Sequence, residues 1–110
     1  MNGDGWTSVI EEADLPEARA VAVEFGDARV LLYRSGERLF AIGNRCTHQG
    51  APLHRGPIRV VGSVATVTCP AHGSIFGLED GAIKRGPARE PVPAFDARVA
   101  SGMIELRARD

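Results

Sequence analysis

Apolar positions along this chain come in short bursts, and each burst ends at a glycine, a proline or a cluster of Asp, Asn and Ser. Trp6 to Ile10 reads as an opening strand, with Trp6 as a core residue. The acidic stretch from Glu11 to Glu17 around Leu15-Pro16 reads as a solvated turn or a single helical turn. Ala20 to Phe25 and Arg29 to Tyr33 flank Gly26-Asp27, the pattern of a hairpin with a tight glycine turn. Ser35-Gly36-Glu37 breaks the chain again, and Arg38 to Ile42 completes a three-stranded meander.

From Gly43 to Pro57 the alternation collapses into a Gly- and Pro-bearing loop. It resumes at Val64 to Thr68 and is lost again at Cys69 to Gly73. Ser74 to Leu78 and Ala82 to Lys84 suggest a hairpin around Glu79-Asp80-Gly81. Irregular segments follow at Gly86-Pro87 and Pro91 to Pro93. Ala97 to Ala100 and Ile104 to Arg107 close the chain as a hairpin turned at Ser101-Gly102. No stretch keeps helical spacing for three turns. The pattern predicts one all-β domain over residues 1–110, a small antiparallel sandwich or partly open barrel with long functional loops.

Composition supports one modest core, since 27 of the 110 residues are Val, Ile, Leu or Phe. That length excludes barrel enzymes and two-domain dehydrogenases. Thirteen basic residues balance fourteen acidic ones, which leaves no footprint for nucleic acid. Apolar runs of four residues, such as Val30 to Tyr33, are far too short to span a membrane. The polar start Met1 to Trp6 has no basic head and no apolar run, so a cytoplasmic location is expected, where thiols stay reduced.

Both cysteines and two of the three histidines fall in the two loops. Cys46-Thr47-His48 lies in the first and Cys69-Pro70-Ala71-His72 in the second. Each loop thus offers one thiolate and one imidazole, a set that fits zinc or an iron–sulfur centre. Zinc loops commonly pair like with like, C-x₂₋₄-C and H-x₃₋₅-H, whereas both pairs here are mixed. In extended chain Cys46 and His48 stand roughly 6–7 Å apart, enough to reach two different metal ions. A Cys46–Cys69 disulfide is the alternative that a reducing compartment disfavours.

The segment Cys46-Thr47-His48-Gln49-Gly50-Ala51-Pro52-Leu53, followed by Cys69-Pro70-Ala71-His72-Gly73-Ser74-Ile75-Phe76, resembles the C-x-H and C-x-x-H-G signature of the Rieske iron–sulfur family. Downstream, Asp80-Gly81 and Gly86-Pro87-Ala88 resemble the proline loop that shields the cluster. The likeness runs from about Arg38 onward. It implies a Rieske fold with cluster-binding loops at about 43–57 and 69–77 and a covering Pro loop at about 85–89. It also implies one [2Fe–2S] cluster, with Cys46 and Cys69 on one iron and His48 and His72 on the other. Two neutral imidazoles in place of thiolates make the oxidised centre less negative than an all-cysteine one, so an added electron is easier to accept. Gly73, Ser74, Phe76 and Pro87 would surround it. The 20-residue gap between His48 and Cys69 is long for the pattern, so extra residues are expected around Arg59 to Ser63.

The family's high-potential branch carries an additional disulfide-forming cysteine in each loop and a tyrosine where Phe76 stands. This chain has neither. Ser74 either donates to a sulfide or is a plain turn residue. The resemblance therefore implies the lower part of the roughly −150 to +300 mV Rieske range. His54 is expected at the surface near the cluster rim. Arg45, Arg55 and Arg85 are either a docking rim or scattered surface charge.

The activity implied is that of a one-electron carrier resembling the ferredoxin component of bacterial aromatic-ring dioxygenases. Such a carrier takes electrons from a flavin-containing reductase and passes them to a terminal oxygenase, with no catalysis of its own. The small subunit of a nitrite reductase and a zinc-stabilised interaction module are the alternatives.

Overall fold

The computed structural model describes residues 5–109, so the reading of the polar start rests mainly on residues outside the described ones. Ten strands are present among the described residues: β1 Thr7–Glu11, β2 Val21–Phe25, β3 Ala28–Ser35, β4 Arg38–Gly43, β5 Ile58–Val61, β6 Val64–Thr68, β7 Ile75–Gly77, β8 Ile83–Arg85, β9 Phe95–Ala100 and β10 Met103–Ala108. They form three open antiparallel sheets, ordered β1-β10-β9, β2-β3-β4 and β5-β6-β7-β8. The all-β expectation holds. The acidic turn carries a single 3₁₀ turn, Glu12–Asp14.

The middle sheet explains the most continuous apolar run. Successive strand residues point to opposite faces. Val30 and Leu32 of β3 enter one core with Val23, Phe95, Ile104 and Leu106. Leu31 and Tyr33 enter a second core with Phe40, Ile42, Val67 and Phe76. A strand buried on both faces has no polar face to alternate with, and Val30 to Tyr33 therefore reads as unbroken apolar sequence.

The hairpin turns fall where glycine allows them. Phe25 pairs with Ala28 across Gly26-Asp27, and Gly26 has φ +60°. Ala100 pairs with Met103 across Ser101-Gly102, both at positive φ, the backbone a two-residue hairpin of the primed type requires.

Two features differ from expectation, and a third falls between two readings. Residues 59–63 are not merely extra length: β5 and β6 form a hairpin turned at Gly62-Ser63. As the edge of its sheet, β5 leaves Arg59, Val60 and Val61 exposed, so no buried alternation announced it. The flanking β-branched residues around Gly-Ser were the available signal. Residues 75–77, which the resemblance counts with the second loop, are strand β7 paired with β8, as the hairpin reading of Ser74 to Leu78 and Ala82 to Lys84 expects. Trp6 is half-buried at the surface, with the guanidinium groups of Arg98 and Arg107 4.2 and 4.4 Å from its ring.

Candidate metal centre

The two loops that carry the cysteines and histidines share one backbone frame. The Cys46 N–H donates to the Ala51 carbonyl at 2.9 Å, and the Gly50 N–H donates to the Cys46 carbonyl at 2.7 Å. In the second loop the Cys69 N–H donates to the Ser74 carbonyl at 2.7 Å, and the Gly73 N–H donates to the Cys69 carbonyl at 3.1 Å. Gly50 and Gly73 both have φ +82°, a conformation that favours glycine at these tight returns. Each loop is thus a closed cup that begins at a cysteine. The histidine sits two residues on in one cup and three in the other.

The cups bring like donors together. Cys46 and Cys69 are buried and unbridged, and stand close enough for Cys69 to perturb the Cys46 thiol. The His48 and His72 rings meet edge to face with centroids 5.0 Å apart. His48 is half-buried and His72 exposed. Among the described residues no three His, Cys, Asp or Glu side chains converge on a single ion-sized point. The donors are arranged as a thiol pair and an imidazole pair, which suits a group with two metal atoms.

The thiol pair sits in the second core beside Leu53, Val67 and Phe76. Burial pushes the Cys46 thiol above its ordinary value. The backbone N–H groups of His48 and Gln49 act in the opposite sense, and Cys69 adds to the upward push. A buried thiolate needs a compensating positive charge, and backbone donors aimed at sulfur are suited to a metal-bound one. The donor set therefore fits a [2Fe–2S] group.

A third segment fastens both cups. The Ala88 N–H donates to Ser74 Oγ at 2.9 Å in the interior. The Thr47 hydroxyl donates to the Glu90 carbonyl at 2.6 Å. Pro87 immediately precedes Ala88 and lines a groove with Thr47 and His48. Phe76 is fully buried in the second core, the one that also contains Cys46 and Cys69. Gly73 closes its cup with open space around its Cα. The hydroxyl proton of Ser74 stays available after the oxygen has accepted from Ala88.

Sequence reading missed several positioning residues. Asn44 is buried and clasps the first loop from both sides. Its carboxamide oxygen accepts the His54 N–H at 2.7 Å, its carbonyl accepts the Leu53 N–H at 2.7 Å, and its amide group meets His54 Nδ1 at 2.9 Å. His54 therefore lines a groove near the rim with Arg45 and Gly50, as expected, but is half-buried and acts as a clasp. Burial, then the charges of Arg55 and Arg29, hold its pKa below the ordinary value. Gly56 matters through closeness, because a Cβ there would overlap the Thr68 carbonyl oxygen just before Cys69. The short side chain of Asn at a loop entry and the Gly-Pro pair were the only signals.

These features define a small three-layer β domain with a paired-thiol, paired-imidazole candidate metal centre. The chain matches the model of the Rieske [2Fe–2S] domain over residues 5–96 and belongs to that family. One Rieske-type [2Fe–2S] cluster is the cofactor of such a domain. It is 32% identical over 92 residues to the 3-phenylpropionate/cinnamic acid dioxygenase ferredoxin subunit of Escherichia coli (strain K12), covering 84% of this chain and 83% of that protein. It is 30% identical over 101 residues to apoptosis-inducing factor 3 of Mus musculus, covering 92% of this chain but 16% of that much longer protein. Among solved structures, the ferredoxin of carbazole 1,9a-dioxygenase from Nocardioides aromaticivorans IC177 superposes with a TM-score of 0.85 at 25% identity, covering 96% of this chain and all of that one. A nitrite reductase small subunit from Mycobacterium tuberculosis gives 0.81 at 31% identity, covering 96% of each chain.

Proposed function

We propose that this chain is a one-electron carrier whose cluster is held by Cys46, Cys69, His48 and His72. The observation that supports this most directly is the segregation of donors, with the thiol pair buried and the imidazole pair at the surface. When bound, a [2Fe–2S] cluster supplies reversible uptake of one electron. The chain's own residues do the rest. Cys46 and Cys69 would hold one iron from inside the second core, where water is excluded. His48 and His72 would hold the other, and the exposed edge of His72 places a conjugated ring where a partner can touch it. The N–H groups of His48 and Gln49 would steady the thiolate charge. The Thr47–Glu90 and Ser74–Ala88 ties would keep the two cups in register. Residues 43–57, 69–77 and 85–89 would then act as one cluster-binding unit within a single domain.

The finer assignment is the ferredoxin of a multicomponent oxygenase, receiving electrons from a flavoprotein reductase and delivering them to a terminal oxygenase. The ferredoxin-subunit relative, matched over most of both chains, supports it. The nitrite reductase small subunit of similar fold supports a second reading, as the electron-transfer subunit of a nitrite reductase. Purified chain should be red-brown, contain two iron and two inorganic sulfide, and accept one electron reversibly. A colourless protein with one zinc would overturn the carrier assignment. Single-turnover transfer to a terminal oxygenase, against stable co-purification with a nitrite-reducing subunit, separates the two systems.

A further inference from the structure

The loops that carry and flank the two imidazole rings have an excess of basic side chains. Within residues 43–57, 69–74 and 85–91 the charged side chains are Arg45, Arg55, Arg85, Arg89 and Glu90, and all five are exposed. His48 shares one groove with Arg45 and Glu90 and another with Arg89 and Glu90. Arg55 lines a third groove with Arg45 and Gly50. Arg85 pairs across the sheet with Ile75, next to the end of the second cup.

Elsewhere five arginines face carboxylates, whereas Arg19, Arg29 and Arg59 make no salt bridge with a described residue. Arg34 pairs with Glu12 at 3.0 Å, Arg38 with Glu79 at 3.4 Å and Arg98 with Glu105 at 2.7 Å. Arg107 and Arg109 share Asp96 at 3.2 and 3.0 Å. By contrast, Arg45, Arg55, Arg85 and Arg89 make no salt bridge with any described residue. The whole chain has a net charge of −1, so this positive rim is offset by a negative excess in the rest of the sequence. The uniform charge balance read from composition hides a polarised molecule.

We propose that Arg45, Arg55, Arg85 and Arg89 form the docking rim for a carboxylate-rich face of a redox partner protein, seated against His48 and His72. The proposal rests on the carrier reading above and names the partner surface it implies. Unpaired guanidinium groups bind carboxylates in a planar, two-pronged manner. A one-sign rim steers an oppositely charged face to the contact point and releases it easily, which suits a transient carrier.

The test uses the full chain with its cluster and a fluorescent twenty-residue poly-glutamate peptide, followed by anisotropy. The peptide should bind at low salt and dissociate at about 0.5 M salt, where screening extends only a few ångströms. R45Q/R89Q should weaken binding by about fivefold or more. R19Q/R109Q, with the same change in total charge, should weaken it less than twofold or so. The visible spectrum confirms that both variants keep their cluster. Absence of binding at low salt, or equal weakening by the two variants, would overturn the proposal. Salt-sensitive dimers of the unaltered chain that R45Q/R89Q abolishes would also overturn it, by assigning the rim to a second copy. Peptide binding needs no electron transfer, so a chain that binds the peptide but cannot be reduced reversibly would refute the carrier reading separately.

Discussion

Ser74 and Ala88 are joined in the interior by a hydrogen bond of 2.9 Å, with the backbone N–H of Ala88 donating to the hydroxyl of Ser74. This bond ties the second cup to the segment that also holds the first through Thr47. Removing the acceptor leaves a buried N–H without a partner. Ser74→Ala should therefore lose about 1–3 kcal/mol of stability, read as a lower urea midpoint for the loaded chain. An unchanged midpoint would mean that the tie contributes nothing.

Gly56 and Gly62 make a paired test of closeness against conformation. A Cβ at Gly56 would overlap the Thr68 carbonyl oxygen, whereas a Cβ at Gly62 meets nothing within 4 Å. Gly56→Ala should displace the chain entering Cys69 and reduce iron content. Gly62→Ala, at φ +61°, should cost about 1 kcal/mol of backbone strain and retain its iron. Iron and sulfide assays on the two variants decide the matter.

The Asn44–His54 clasp implies a pH dependence. His54 is held below its ordinary value of 6.5, chiefly by burial. As pH falls through 6.5, the unfolded chain takes up the proton before the folded chain does. Stability is thus undiminished above that pH and declines below it, levelling once the folded His54 also protonates. His54→Gln keeps an acceptor for Asn44 and removes the titration. Its unfolding midpoint should vary less between about pH 7 and pH 5 than that of the unaltered chain.

His48→Cys tests the charge argument at the proposed imidazole end. A thiolate there adds negative charge, so the variant that keeps a cluster should have a lower reduction potential. Protein-film voltammetry gives the shift directly, and a potential equal to that of the unaltered chain contradicts the argument.

Much of the architecture was legible because it depended on local spacing. The meander from Val21 to Gly43 and the closing hairpin at Ser101-Gly102 follow from β-rich runs cut by glycine turns, which are near-neighbour effects. Strand β5 was not legible, because an exposed edge strand carries no alternating burial to read. Trp6 was misplaced for a related reason. An aromatic residue near an end looks like core until the arginines that cover it come from β9 and β10.

The sequence by itself determined the donor inventory: two cysteines and two histidines in two loops, with glycines placed to close each cup. Those are properties of residue type and short separation. Only the tertiary structure decided how the donors sort, because pairing Cys46 with Cys69 and His48 with His72 requires two loops distant in sequence to face each other. It also decided that Asn44 and His54 form a clasp, that Ser74 holds Ala88, and that Arg45, Arg55, Arg85 and Arg89 stay without ion partners while five other arginines find carboxylates. Burial and ion pairing are set by what the fold brings near, and composition, which counts charges without placing them, cannot express either.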